Sequence, residues 1–275
     1  MSKYAHGLSV VMIAKDSERY LSLVLRSLWQ IADEIVLVDT GSTDKTIEIA
    51  EKWNCRVFRF AWRDDFSEAK NHALEQARFS WIMSVDTDEV LFDRKAKDVL
   101  AGALRADAVH AYSIWLDNLD DSGTVKRHEA LRLFRNDPLI RFTNPVHEDI
   151  AESLYLHWPG FVPPALELHL RHYGYLHGNR DGKHERNCAI LRRWVAGDPD
   201  NIYACYKLGG TLANMGAREE ALFYLERAFG LLERSLERAS YPFLGACVIS
   251  YCGLLENEGF ADRAAQCRQL AAAWP

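Results

Sequence analysis

No stretch of this 275-residue chain approaches the roughly 20 consecutive apolar residues that a membrane-crossing helix requires. No signal peptide is expected, since MSKYAHG leads straight into a strand-like segment. Positive charge is not in excess: 33 Lys and Arg face 39 Asp and Glu, for a net charge of -6 and a pI near 5.9. A general nucleic-acid binder leaves the opposite, basic footprint. The six cysteines, at 55, 188, 205, 247, 252 and 267, form no Cys-x-x-Cys pair and fall within apolar or helical patterns, as buried free thiols of a reducing compartment do. His169, His172 and His177 have no Cys or Glu partner at a familiar zinc spacing. These absences point to a cytoplasmic protein without a transmembrane segment that handles any anionic ligand locally. Peripheral membrane contact and a homo-dimer are left open.

Two common phosphate-binding loops are also missing. No G-x-G-x-x-G follows the first apolar segment. Residues 41–46 (GSTDKT) lack the leading glycine and four-residue spacer of a P-loop, and would turn an aspartate toward the phosphates. What the chain has instead is acid at the end of an apolar run. Residues 81–90 (WIMSVDTDEV) read as a buried strand of a parallel sheet that stops at Asp86, Asp88 and Glu89. Asp-x-Asp is a weak motif alone, and 198–200 (DPD) is a second copy in a turn, so position on the chain decides.

The preceding segments supply that position. Residues 8–14 (LSVVMIA) read as a strand, and Lys15-Asp16-Ser17 as a helix start. Tyr20, Leu21, Val24, Leu25 and Leu28 follow as a stripe at helical spacing. A second unit repeats the order, with a strand at 35–38, a turn at 39–44 and a helix at 45–53; a strand at 55–60 and a helix at 67–77 then lead into residue 81. This alternation predicts an α/β fold with a doubly wound, mainly parallel sheet and helices on both faces. Ligands of such folds bind beyond the carboxyl ends of the strands. There the sequence gathers Lys15, Asp16, Asp39, Asp86 and Asp88. Hard divalent cations take oxygen ligands, and Mg²⁺ is often held by one or two carboxylates plus substrate phosphates.

Four segments, LSVVMIAKDSERYL, ADEIVLVDTGSTDKTIEIA, WRDDFSEAKNHAL and WIMSVDTDEVL, resemble the inverting family 2 glycosyltransferases of the GT-A fold. Within them the chain is most similar to the cytosolic subgroup of lipopolysaccharide-core glucosyltransferases and glycocin peptide S-glycosyltransferases. RLFRNDPLIRFTNPVHEDI and LRHYGYLHG extend the likeness. The resemblance implies a transferase that uses a nucleotide-activated sugar, commonly a UDP-hexose, with Mn²⁺ or Mg²⁺ on the diphosphate and a glycan, lipid-linked or peptide acceptor. Carried over by position, Ala14 and Lys15 would line the nucleotide pocket and Asp39 would contact the base or ribose. Asp86 and Asp88 would bind donor and metal, with His172 as a further metal ligand. Glu148 would be the catalytic base, with Asp149 as the alternative.

Simpler roles stand beside these. Asp39 is equally suited to capping the next helix. Glu89 is expected to be an outer or solvated carboxylate rather than a ligand. Lys183, with Arg186 and Asn187, forms either a basic lid over the diphosphate or the polar face of a helix. Asp64, Asp65 and Ser67 read as a helix cap, with a minor sugar contact open for Arg63 or Asn71. Arg132, Arg135 and Arg141 alternate with apolar residues as in an ordinary strand and turn.

Strand-like runs end near residue 181, and 190–275 is rich in Ala, Leu, Arg and Glu at helical spacing. The expected organisation is a GT-A catalytic domain at 1–180, with nucleotide-sugar binding in 1–95 and the acceptor side in 96–180, followed by an α-helical region at 181–275. Leu208, Gly209, Leu212, Gly216, Ala221, Leu225 and Ala228 have the small-large spacing of a tetratricopeptide repeat. One and a half repeats are too few for a solenoid. The tail either covers apolar surface, dimerises or touches the acceptor. A catalytically inactive nucleotide-sugar-binding scaffold that works through this tail is the alternative to an enzyme.

Overall fold

A computed structural model of the chain describes residues 4–119, 121–174 and 180–274. The chain forms two compact units, Met1–Asn179 and Arg180–Pro275. His177 lies outside the described residues.

The first unit opens with β1 (Ala5–Ala14), α1 (Glu18–Leu28), β2 (Glu34–Asp39), α2 (Thr46–Lys52), β3 (Arg56–Arg59), α3 (Phe66–Gln76) and β4 (Phe79–Ser84). It continues with β5 (Glu89–Leu91), α4 (Ala96–Ala103), β6 (Ala111–Leu119), β7 (Val125–Arg135), α5 (Ala151–His157) and β8 (Ala165–His172). The eight strands make one sheet in the order β3-β2-β1-β4-β7-β6-β8-β5. β3, β2, β1 and β4 are parallel neighbours. The second half is mixed, since β7 runs antiparallel to both β4 and β6, and β5 antiparallel to β8.

Strand β1 is buried on both sides, which is why its apolar run is continuous rather than alternating. Val10 and Met12 pack with Leu21, Val24, Leu25 and Leu28 of α1, while Val11 packs with Ala73 and Leu74 of α3 on the opposite face. The apolar run at 81–90 differs from its expected form. It is two strands, β4 and β5, with Asp86 and Asp88 in the loop between them and Glu89 already at the start of β5. β5 pairs with β8 at the far edge of the sheet, so the loop carries the chain from one half of the sheet to the other.

The second unit holds α6 (Arg180–Gly197), α7 (Ile202–Asn214), α8 (Arg218–Arg234), α9 (Leu244–Asn257) and α10 (Ala261–Ala272). Asn201 caps α7 by accepting a hydrogen bond of 2.9 Å from the Ala204 amide. Gly209 lets α7 approach α8 closely: a Cβ there would sit 2.6 Å from Leu225 Cγ and 3.0 Å from the Leu225 amide nitrogen.

Candidate functional site

Three loops meet at the carboxyl ends of β1, β2 and β4, held together by their own polar side chains. Asp16, in the left-handed region at φ 47°, accepts from the Thr43 amide at 2.7 Å, and its own amide donates to Ser42 Oγ at 2.9 Å. The Ser17 amide donates to Thr46 Oγ1 at 2.7 Å, and Thr87 Oγ1 donates to Ser17 Oγ at 2.9 Å. Asp39 ends β2 with only 4% exposure, and its carboxylate accepts from the amides of Gly41 and Ser42. It therefore shapes the loop after β2 from within, which narrows the capping role expected for it to the turn itself. Ala14 is buried at the end of β1 and Lys15 is exposed just beyond it.

Lys70 sits at the centre of the site, with its side chain only 7% exposed. Its Nζ lies 2.7 Å from Glu148 Oε1 and 3.3 Å from Asp86 Oδ1. The other oxygen of Asp86 accepts from Arg132 at 3.0 Å, and Arg132 also bonds Glu89 at 2.6 Å. Burial alone would lower the Lys70 pKa and raise that of Asp86. For Lys70 the charges of Asp86 and Glu148 outweigh burial and the repulsion of Arg132, so it stays protonated; for Asp86 the charges of Lys70 and Arg132 outweigh burial and hold it well below the usual carboxylate range. Glu89 has no exposed surface, and burial pushes its carboxyl up to about 7, with the Asp86 charge adding to the rise against the pull of Arg132. Of the two roles expected for Glu89, outer or solvated carboxylate, the structure shows the outer one, buried against the Asp86 amide and Arg132. Asp86 keeps 35% exposure, which leaves the network open to a ligand on that side.

Arg132 corrects the reading of 130–141 as an ordinary strand and turn. The ladder between β6 and β7 passes from Tyr112 opposite Leu133 to Ser113 opposite Leu131, so Arg132 is the extra residue of a bulge. A bulge re-aims the side chain it carries, and here it directs the guanidinium to Asp86 and Glu89.

Glu148 reaches Lys70 because its loop is pinned to α3. Asn71 exchanges two hydrogen bonds of 2.9 Å with the backbone of Phe142, and the Phe66 amide donates to the Pro145 carbonyl at 2.9 Å. Asn71 is thereby occupied with structure. Asn144 and His147 both adopt positive φ, 72° and 57°, in the turn that leads into the two neighbouring acids. Glu148 points inward to Lys70 with 13% exposure, whereas exposed Asp149 accepts from the Ala151 amide at 2.8 Å at the start of α5. Asp65 caps α3 by accepting from the Glu68 amide at 2.9 Å.

Asp88 and His172 form a second pair. Glu89 and His172 lie opposite each other in the β5–β8 ladder, and His172 Nε2 is 3.3 Å from Asp88 Oδ1. The other ring nitrogen, Nδ1, lies 2.8 Å from Asn118 Oδ1. A proton on Nδ1 satisfies that contact, so Nε2 donates to Asp88 while it is protonated and offers a lone pair once it is not. Burial lowers the pKa of His172, but the Asp88 hydrogen bond and the surrounding acids more than offset it and the net direction is upward. Among the described residues no three His, Cys, Asp or Glu side chains converge as a ligand set. The expected trio of Asp86, Asp88 and His172 is therefore not assembled as one set, because Lys70 and Arg132 hold the Asp86 oxygens. One carboxylate and one imidazole still fit a divalent cation that draws its remaining ligands from a diphosphate. Lys183 lies half-buried on α6 in the second unit.

Lys70 escaped the sequence reading, although a signal was present. It stands three and four residues before Ala73 and Leu74, on the buried stripe of α3, where a lysine is seldom found without a partner.

The family model for glycosyl transferase family 2 matches residues 9–157, more than half of the chain and all of the site in the first unit except His172. The chain belongs to this family. It is 34% identical over 230 residues to the TPR repeat-containing protein Synpcc7942_0270 of Synechococcus elongatus, covering 80% of this chain and 55% of that protein. The chain spans a little over half the length of the first curated relatives that it matches. Its fold is shared by S. aureus TarS residues 1–349 in complex with UDP, with a TM-score of 0.54, 17% identity and coverage of 96% of this chain and 91% of that one. The mannosyltransferase PcManGT from Pyrobaculum calidifontis, in complex with GDP-Man and Mn²⁺, superposes with a TM-score of 0.50 and 16% identity, covering 98% of this chain and 88% of that one. Among the described residues no helix is long and apolar enough to cross a membrane.

Proposed function

We propose that this chain transfers a hexose from a nucleoside-diphosphate sugar, a UDP-sugar in the first instance, to a hydroxyl or thiol of a glycan, lipid-linked or peptide acceptor, with inversion at the anomeric carbon. The observation that carries the reading is the convergence of Glu148 and Asp86 on buried Lys70, with the Asp88–His172 pair in the adjoining loop and strand.

Inversion needs one base and no covalent intermediate. The acceptor oxygen or sulfur forms its bond to the anomeric carbon, the bond from that carbon to the diphosphate oxygen breaks, and the electron pair leaves with the diphosphate. The acceptor proton passes to Glu148, the inward member of the acidic pair. Asp149 is the weaker candidate because it is spent on the start of α5. Asp39, Ala14 and Lys15 would hold the nucleoside at the ends of β1 and β2, and Asp86 would face the donor from its open side. Asp88 and His172 would hold a Mn²⁺ or Mg²⁺ ion, which when bound neutralises charge on the departing diphosphate. The fold shared with a UDP complex and with a GDP-Man and Mn²⁺ complex supports the donor class and the metal. The helical region of the second unit is assigned to acceptor contact or self-association. The six free cysteines suit a reducing compartment.

The test is calorimetry and acceptor-free hydrolysis with UDP-, GDP- and dTDP-sugars, each with Mn²⁺, Mg²⁺ or EDTA, on the wild type, Asp88→Asn and Glu148→Gln. Metal-dependent binding and slow hydrolysis of one donor are expected in the wild type and lost in Asp88→Asn. Glu148→Gln should keep donor binding while transfer falls about 10²–10⁴-fold. Donor binding without hydrolysis or transfer would overturn the enzyme reading and leave the nucleotide-sugar-binding scaffold, and failure to bind any nucleotide sugar would overturn both.

A further inference from the structure

A cavity of about 200 Å³ opens between β6, β7 and α5, lined by Ser113, Glu129, Ala130, Leu131, Tyr155 and Pro163. Its walls come from the elements that build the catalytic network. Leu131 immediately precedes Arg132, the bulge residue bonded to Asp86 and Glu89. Tyr155 lies on α5, just after the loop that carries Glu148, and the charge of Asp149 adds to the burial that pushes its phenol up. Ser113 faces Leu131 across the ladder and Trp115 faces Glu129, so these four residues share one side of the sheet.

The lining says what fits. It contains no Lys, Arg or His, so nothing there favours an anionic group. Leu131, Pro163 and the ring of Tyr155 provide apolar surface, and Ser113 Oγ donates to Glu129 Oε2 at 2.6 Å. A serine hydroxyl that donates inward keeps lone pairs to accept, and a carboxylate accepts from hydroxyls. An apolar face rimmed by hydroxyl and carboxylate matches a sugar ring, which has one face of C–H groups and an equator of hydroxyls that both donate and accept. At about 200 Å³ the space falls below the roughly 300–1,000 Å³ of pockets for whole small molecules. It therefore suits one residue of a larger acceptor.

The geometry points to a subsite for one neutral sugar residue of a glycan acceptor in this cavity, whose wall includes α5, the helix that follows the Glu148 loop. This assignment rests on the transferase reading above and names its acceptor class.

Methyl glycosides of the common hexoses are the acceptor probes, supplied with whichever donor the wild type hydrolyses. At least one should be glycosylated. Glu129→Gln and Tyr155→Ala should each raise the acceptor KM and lower the ratio of transfer to acceptor-free hydrolysis about tenfold, with Glu129→Asp recovering part of the loss. Glu129 is exposed and Tyr155 is 38% exposed, so the variants retain the core. A wild type that hydrolyses donor but glycosylates no hexoside, or that modifies a serine- or cysteine-bearing peptide probe instead, would overturn the subsite. So would variants that keep the wild-type ratio. A wild type that hydrolyses no donor overturns the transferase reading, and the subsite falls with it.

Discussion

Lys70 Nζ lies 2.7 Å from Glu148 Oε1, and this contact joins a helix from the first half of the sheet to a loop from the second. Neither charge reaches bulk water freely, and Asp86 shares the lysine at 3.3 Å. The ion pair thus positions the proposed base and the proposed donor-facing acid from a single buried cation.

Removing that cation leaves two carboxylates short of a partner. Lys70→Met is expected to destabilise the protein by about 3–5 kcal/mol, because breaking a buried pair from one side strands the other charge. Urea denaturation followed by circular dichroism measures this. A loss under about 1 kcal/mol would mean that water solvates Asp86 and Glu148 well enough without it.

Asn118 acts at one remove. Its Oδ1 holds His172 Nδ1 at 2.8 Å, so Asn118→Ala frees the ring without touching Asp88. Affinity for Mn²⁺ in the presence of UDP should fall 10- to 100-fold, as read by electron paramagnetic resonance titration of free Mn²⁺. An unchanged affinity would show that the ring is oriented by other contacts.

The Asp117–Arg127 pair lies on the opposite sheet face from His172. Asp117 is 2% exposed, accepts from Arg127 Nε at 2.6 Å, and faces His169 Nδ1 at 3.4 Å. The Arg127 hydrogen bond leads the effects that hold its pKa below the ordinary value, outweighing burial. A depressed folded pKa stabilises above the unfolded value of about 3.9, and that contribution disappears as pH falls through the lower folded value. Asp117→Asn should therefore cost about 1–3 kcal/mol at pH 7, and the difference from wild type should shrink between about pH 4 and pH 2. Paired denaturation curves at those pH values test the sign.

In the second unit the sensitive position is Gly209. Gly209→Ala would place a methyl 2.6 Å from Leu225 Cγ and force α7 and α8 apart. The expected cost of overpacking, about 1–3 kcal/mol, exceeds the roughly 1 kcal/mol of helix propensity that alanine returns. Thermal melting should show a lower Tm, and an equal or higher Tm would mean that Leu225 moves aside at little cost.

The alternation of strand and helix through residue 84, the acids at the sheet edge and the change to an all-helical region near residue 180 were all legible from patterning. The break between β4 and β5 was not, because a continuous apolar run looks the same whether one strand or two consume it. Glu89 read as either an outer or a solvated carboxylate, and its place opposite His172 in the β5–β8 ladder, bonded to Arg132, makes it the outer one. Arg132 looked like a strand residue because a bulge is invisible to a period-two pattern. Lys70 was the readable omission, a charge on a buried helical stripe.

Local patterning carried most of the strands and helices and the loops that bear acid, because those properties depend on neighbours a few residues apart. Only the tertiary structure decided which acid faces which cation. Glu148 rather than Asp149 turns inward because positive-φ turns at Asn144 and His147 and the Asn71 clasp on Phe142 set the loop's direction. Asp86 is drawn to Lys70 and Arg132, away from one ligand set with Asp88 and His172, because attraction between charges strengthens as water is excluded. Water is excluded only where separate parts of the chain have packed together.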